Sequence, residues 1–219
     1  RLGGGEAFAL TCPLITKSDG SKFGKSEGGN IWLDSKRTSP YKFYQFWLNQ
    51  SDEDALKSIK IFTMKGEKEI AEIAEKHAEA PHTRILQNTL AEDITITVHS
   101  KEALSNAKAA SEILFGKTTE ENVRKLSKGA LESIGNEVPK HQVPKETIAN
   151  QVGIIDLLSE HAPIFSSKGE ARRAIKNNAV AVNKTKVQDT KTVSSEDVIQ
   201  DYYILVQNGK KNYHLINLI

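Results

Sequence analysis

Residues 7–34 read AFALTCPLITKSDGSKFGKSEGGNIWLD, and the fold assignment starts from this stretch. Residues 7–16 are apolar and rich in strand formers, which predicts one buried strand. Residues 17–30 contain mostly Gly, Ser, Lys and Asp and are typical of a loop. Residues 31–34 (IWLD) are expected to form a short ordered segment after the loop, which we call the IWLD return. Because a lone strand leaves backbone polar groups unpaired, we expect this strand to belong to a larger sheet whose other strands lie upstream.

The loop contains the pentapeptide Lys22-Phe23-Gly24-Lys25-Ser26. Two ammonium groups three residues apart on a glycine-containing loop can close over a triphosphate and stabilise the pyrophosphate as it leaves. A phosphate-binding P-loop is one alternative, since Gly24-Lys25-Ser26 matches the end of G-x-x-x-x-G-K-[ST]. That motif requires glycine at position 19, which is Asp19, and a helix beginning at Ser26, which the pattern does not predict. A solvated basic loop is the other alternative.

Composition is that of an ordinary globular protein: 219 residues, 26% charged and 38% hydrophobic, with a net charge of +2. The charge is unevenly distributed. Residues 51–100 carry ten acids against six bases. Residues 166–186 carry one acid, Glu170, and six bases: Lys168, Arg172, Arg173, Lys176, Lys184 and Lys186. We therefore expect the C-terminal end to meet an anionic partner. The single cysteine, Cys12, excludes an intramolecular disulfide and fits a reducing compartment. The sequence contains no run of 18 apolar residues, so no membrane span is predicted.

From Pro40 the pattern is helical. Pro40 after Ser39 predicts a helix over residues 41–48, and Ser51 with Asp54 predicts a capping box before a helix over 55–62. Further helices are expected over 67–80, from Pro81 to about 99, over 101–115 and over 120–134. The aromatic residues Tyr44, Phe46 and Trp47 are expected in the core. The scattered histidines lack ligand spacing, so no protein-bound metal is expected.

Residues 139–144 (PKHQVP) are interpreted as a linker between two hydrophobic patterns. After it we expect short helices over 153–161 and 168–177, the second capped by Ser166 or Ser167. Strands are expected around 179–182, 186–187, 202–206 and 213–216, and Asn208-Gly209 predicts a hairpin between the last two. In the second helix Lys168, Arg172 and Lys176 recur every four residues and can follow a phosphate backbone, with Arg173 and Ser167 beside them.

The stretch PLITKSDGSKFGKSEGGNIWLD followed by TSPYKFYQFWLN resembles the region around the lysine-rich signature of bacterial-type tyrosyl-tRNA synthetases, a class I family. The variant loop, the IWLD return and the SPYKFYQFW helix occur together and in order over residues 7–62. By this resemblance residues 22–26 form the ATP signature loop. Lys25 contacts ATP, Lys22 assists at the phosphates, and Phe23, Gly24 and Ser26 complete the loop.

The resemblance implies a parent enzyme that activates tyrosine with ATP, accompanied by Mg²⁺, and transfers it to tRNA(Tyr) in the cytoplasm. The family's HIGH-type motif and tyrosine pocket do not occur in this sequence. We therefore expect the chain to be a C-terminal portion that is inactive alone. The parent is expected to be a homodimer, and this portion a monomer.

The pattern SKGEARRAIKNNAVAVN resembles the S-four-type RNA-binding module, named after a small-subunit ribosomal protein, with Lys184 at a usual glycine position. The expected fold is multidomain, α and α+β. Residues 1–39 end a Rossmann-like catalytic domain, 40–138 form a helical anticodon-recognition domain, 139–152 a linker, and 153–219 a small α+β RNA-binding domain. The alternative function is a non-catalytic RNA-binding protein built on the last module.

Overall fold

The computed structural model describes residues 8–11, 14–16, 18, 20–21, 30–116 and 118–219. Its first part is helical: α1 (Pro40–Leu48), α2 (Asp52–Phe62), α3 (Glu67–Glu79), α4 (Ile85–Val98), α5 (Lys101–Phe115), α6 (Glu120–Arg124) and α7 (Lys128–Gly135). The caps follow local chemistry. Ser39 and Ser51 each accept a backbone hydrogen bond from the third residue beyond them, as the sequence predicts.

The second part mixes short helices and strands. It contains β1 (Lys140–Val143), α8 (Lys145–Ala149), β2 (Val152–Gly153), α9 (Ile154–Asp156) continued by a π-helical turn (Leu157–His161), and α10 (Lys168–Lys176). β3 (Val180–Val182), β4 (Thr185–Lys186), β5 (Thr192–Val193), β6 (Tyr203–Asn208) and β7 (Asn212–Leu218) follow. A five-stranded sheet has the order β1-β7-β6-β3-β4, and β2 pairs with β5 separately. β6 and β7 form the predicted hairpin, in which Gly209 takes the left-handed conformation at φ 73°.

Alternate residues of β6 and β7 enter two different hydrophobic cores. Tyr203 and Leu205 pack into the core built by α1–α7, as do Tyr213 and Leu215. Their neighbours pack into a second core with α8, α9 and α10: Ile204, Val206, Ile216 and Leu218. Because successive strand residues point to opposite faces, the sheet is covered on both sides. It forms a middle layer shared by the helical part and the C-terminal helices.

Two predicted elements are wrong. The helix expected to begin at Pro81 begins at Ile85, because Arg84 is left-handed at φ 54° and its guanidinium donates to the Leu48 carbonyl at 2.6 Å. The stretch interpreted as a linker is not irregular, since residues 140–143 form β1, which pairs in parallel with β7. That pairing joins residues more than 70 positions apart, so no local pattern indicates it. The division into domains itself stays a prediction.

Two further predictions differ from the structure, the second of them entirely. The single helix expected over 120–134 is two helices, α6 and α7, with Ser127 capping the second. The described residues of the expected N-terminal strand form no strand beyond a single β-bridge at Thr16, and Phe8 and Leu10 are 92% and 98% exposed. The described part of the chain supplies no strand to pair with this segment. Cys12 lies outside the described residues.

Candidate nucleic-acid interface

The signature loop lies outside the described residues, and this includes Lys22, Phe23, Gly24, Lys25 and Ser26. Residues on either side of it are described, and Ser18 before it contacts the helical part. Before the loop, the Ser18 amide and hydroxyl donate to the Asp54 carboxylate of α2 at 2.7 and 3.1 Å. After the loop, the Trp32 amide donates to the Thr38 hydroxyl at 2.9 Å. The Asp54 carboxylate therefore binds Ser18 in the segment before the loop. It does not bond back to the Ser51 amide, so the predicted capping box is not completed.

The predicted RNA-facing helix is α10, and its N-terminus is built by local hydrogen bonds. The Ser167 hydroxyl accepts from the Glu170 amide at 3.2 Å, which identifies Ser167 and not Ser166 as the cap. The Glu170 carboxylate accepts from the Ser166 hydroxyl and amide, and these bonds hold the pKa of Glu170 below its usual value. The hydroxyl of Ser167 is thus engaged in the helix cap.

Lys168, the first residue of α10, is neutralised within the protein. Its ammonium lies 2.6 Å from the Asp156 carboxylate and 2.9 Å from that of Glu160, both on the preceding helical segment. Hydrogen bonds to Asp156 and then Glu160 raise the pKa of Lys168. A lysine with two carboxylate partners has less net charge to offer to a phosphate than an unpaired one.

Arg172, Arg173 and Lys176 are exposed and occupy the last turns of α10. Among the residues that the structure describes, no carboxylate lies within ion-pair distance of these three side chains. Arg172 and Lys176 are one helical turn apart and share a face. Their charges are therefore available to an anionic partner.

The β6–β7 hairpin brings two more lysines to the same end of the sheet. The Gly209 amide donates to the Ala179 carbonyl at 2.7 Å, three residues beyond the end of α10. Lys210 and Lys211 follow in the loop and are exposed. We refer to Arg172, Arg173, Lys176, Lys210 and Lys211 as the α10 basic surface. Sequence reasoning missed the last two because the contact joins segments 30 residues apart.

Lys184 does not contribute a free charge, although it is one of the six bases counted in this region. It is left-handed at φ 72°, the conformation that favours glycine. Its ammonium donates to the Ile113 carbonyl at 2.8 Å and to the Tyr213 hydroxyl at 2.6 Å. Lys184 thus ties the turn after β3 to α5 of the helical part.

Asn183, the residue before it, is a buried connector. It is 1% exposed and left-handed at φ 48°. Its side-chain amide donates to the Asp197 carbonyl at 2.6 Å, and its side-chain oxygen accepts from the Leu205 amide at 3.0 Å. Both bonds satisfy buried backbone groups that the sheet leaves without partners.

The three aromatic residues of α1 predicted to lie in the core do so: Tyr44 and Trp47 are buried and Phe46 is half-buried against them. The glutamates of α3 form an exposed acidic face. His141 and His214 pair across β1 and β7, with ring nitrogens 3.2 Å apart, and burial lowers the pKa of both. Within the described ranges, no helix has the length and apolarity to cross a membrane, and no three potential metal ligands cluster.

Comparison with known proteins defines the class. The family described as tRNA synthetases class I (W and Y) matches residues 1–116. The chain belongs to this family. Residues 131–216 match the tyrosine–tRNA ligase SYY-like C-terminal domain.

Individual relatives narrow the similarity from the family to one kind of enzyme. The chain is 57% identical to a tyrosine–tRNA ligase of Porphyromonas gingivalis over 99% of its length. It is 49% identical to one of Bacteroides thetaiotaomicron over 99% of its length and 48% identical to one of Flavobacterium johnsoniae over 100%. The chain covers 50%, 50% and 51% of these three relatives, so it spans about half the length of the curated relatives it matches.

Proposed function

We propose that this chain is the C-terminal part of a tyrosine–tRNA ligase, supplying the ATP signature loop and the surfaces that bind tRNA(Tyr). The protein as a whole would join tyrosine to ATP, release pyrophosphate and transfer the tyrosyl group to tRNA, in the cytoplasm and as a homodimer. The observation that carries this proposal is the α10 basic surface, five exposed cations on α10 and on the hairpin turn that bonds to the segment just after it. The match to relatives named tyrosine–tRNA ligase supports the ligase over a non-catalytic RNA-binding protein.

We assign one role to each of the predicted domains. Residues 1–39 would end the catalytic domain, 40–138 would recognise the anticodon, and 153–219 would form the S-four-type module. In the loop, Lys25 would neutralise the ATP phosphates with help from Lys22, and Phe23, Gly24 and Ser26 would shape it. In the last module, Arg172, Arg173 and Lys176 would contact RNA phosphates directly. Ser167 and Lys168 would set the start of the same helix, where Lys168 is held by Asp156 and Glu160.

The RNA-binding part is tested by the salt dependence of tRNA(Tyr) binding to this chain. Each phosphate contact contributes about 0.7 to 0.9 to the slope of log affinity against log salt. Replacing Arg172 and Arg173 together with alanine should lower the slope by about 1.4 to 1.8. Lys36→Ala with Lys140→Ala removes two exposed charges outside both parts assigned to RNA and should leave the slope unchanged. An equal change in both double variants would contradict a localised interface.

The catalytic part is tested in a protein of the full length of the relatives. Lys25→Ala should reduce tyrosine-dependent exchange of pyrophosphate into ATP by at least about tenfold, which corresponds to about 1.4 kcal/mol of transition-state stabilisation. tRNA binding should stay at the parental level, because Lys25 is not part of the RNA surface. A loss smaller than this would remove Lys25 from the assigned role.

A further inference from the structure

A second group of unpaired cations surrounds one exposed aromatic ring. Tyr202, just before β6, is 40% exposed. The ammonium of Lys145 lies 4.1 Å from its ring centroid and that of Lys128 lies 5.1 Å from it. Both lysines are exposed, and in the part of the chain that the structure describes neither lies within 4 Å of a carboxylate. We refer to these three residues as the Tyr202 cluster.

The cluster is assembled by tertiary structure and not by local sequence. Lys128 is the first residue of α7 and Lys145 the first of α8, on either side of β1. Both ammonium groups lie close to one ring centroid, so they are at most about 9 Å apart. Two like charges so close to each other favour an anion that contacts both.

The backbone that presents Tyr202 is strained. Gln200 and Asp201 are consecutive non-glycine residues in the left-handed region, at φ 49° and 62°. The Gln200 side chain donates to the Leu126 carbonyl at 3.0 Å, and the Leu218 amide donates to the Tyr202 carbonyl at 2.7 Å. These bonds fix the turn against β7 and the connection between α6 and α7. Backbone strain of this kind is concentrated at functional sites, where it holds a side chain in place.

We infer that the Tyr202 cluster is a second contact for the RNA backbone, separate from the α10 basic surface. Two cations without carboxylate partners over one aromatic ring suit a nucleic-acid backbone, since the ring holds both ammonium groups where they can meet phosphates. This inference rests on the proposed function and adds a surface to it. Lys128, Lys145 and Tyr202 are the residues assigned to it.

The two contacts lie at opposite ends of β6. Tyr202 precedes this strand, and Gly209, which bonds to Ala179 beyond α10, follows it. Six residues at about 3.3 Å each separate them by roughly 20 Å. A single nucleotide does not reach both contacts. An RNA that does must be a folded arm or a stretch of several nucleotides lying along the sheet.

The test measures tRNA(Tyr) affinity to the full chain over a series of salt concentrations. Lys128→Gln with Lys145→Gln should lower the slope of log affinity against log salt by about 1.4 to 1.8. Lys128→Arg with Lys145→Arg keeps the charges and should restore the slope. Tyr202→Phe should bind like the parent, whereas Tyr202→Leu should bind more weakly. Lys36→Gln with Lys140→Gln, two exposed lysines outside both parts assigned to RNA, is the matched control and should have no effect.

Three outcomes separate this inference from the proposed function. If the glutamine pair lowers the melting temperature but keeps the parental slope, the lysines only stabilise the fold and the inference is overturned. If the Arg172 and Arg173 variants lose slope and the glutamine pair does not, the proposed function stands and the second contact does not exist. If hydroxyl-radical footprints show that the two sets of variants expose different nucleotides, both contacts are established.

Discussion

Replacing Asn183 with alanine should lower the free energy of unfolding strongly, because one side chain makes two buried hydrogen bonds. The Leu205 amide and the Asp197 carbonyl would each lose their partner in a site that is 1% exposed, where water does not replace it. Leaving one buried polar group unsatisfied costs about 1 to 3 kcal/mol, so the two together cost about 2 to 6 kcal/mol. The left-handed backbone adds about 1 kcal/mol for an alanine. This sum is a large fraction of a typical domain's stability of about 5 to 15 kcal/mol.

Asn178→Ala provides the matched control. Asn178 is also left-handed, at φ 53° against 48° for Asn183, but its side chain is exposed. Both variants place an alanine in the left-handed conformation, and only Asn183→Ala also loses the two buried hydrogen bonds. Urea unfolding followed by circular dichroism gives the free energy of unfolding for each. Asn183→Ala should be less stable than Asn178→Ala by at least about 2 kcal/mol. A difference below about 0.5 kcal/mol would refute the connector role, since effects of that size are typical of surface substitutions.

Three other perturbations have defined outcomes. Lys184→Ala and Lys184→Gly both lose the two hydrogen bonds described above, but glycine relieves the left-handed backbone. The glycine variant should therefore be more stable in urea by about 1 kcal/mol, and equal stability would argue against strain at this turn. Because burial lowers the pKa of His141 and His214 below the ordinary 6.5, their contribution to stability is present above that pH and is lost as pH falls. Unfolding free energies measured from pH 7 to 5 should fall less steeply in His214→Phe than in the parent, and an unchanged pH dependence would count against the pair. Gly135→Ala would put a methyl carbon 2.8 Å from a terminal carbon of the buried Leu215. The free energy of unfolding should therefore fall by about 1 to 3 kcal/mol in the same assay. An unchanged free energy would mean that the helix can shift away from the sheet.

Much of the helical structure could be predicted because its signals are local. Ser39 before Pro40 and Ser51 before α2 mark helix starts within a few residues, and Ser167 does the same for α10. The hairpin follows from Gly209 for the same reason. The late start of α4 was missed because it depends on a hydrogen bond from Arg84 to a carbonyl 36 residues earlier.

The candidate site divides in the same way. The basic helix was predicted from spacing alone, and three of its cations are exposed without a carboxylate partner among the described residues: Arg172, Arg173 and Lys176. Their contact with RNA stays a prediction. The ion pairs of Lys168 were not predictable, because Asp156 and Glu160 lie on another segment whose packing sets the distance. The same applies to the hairpin lysines and to the Tyr202 cluster. The roles proposed for Lys22 and Lys25, which lie outside the described residues, rest on the motif and its resemblance.

The sequence by itself determined the family, the order of the main helices and the presence of a basic helix near the C-terminus, and it alone carries the prediction for residues 22–26. These properties depend on residue types within a few positions of each other, where capping, periodicity and turn chemistry act. Only the tertiary structure decided that residues 140–143 join the sheet, that both faces of the sheet are covered, and which cations keep their charge free. A charge is available only when no carboxylate or carbonyl from a distant segment neutralises or binds it, and that is a property of packing.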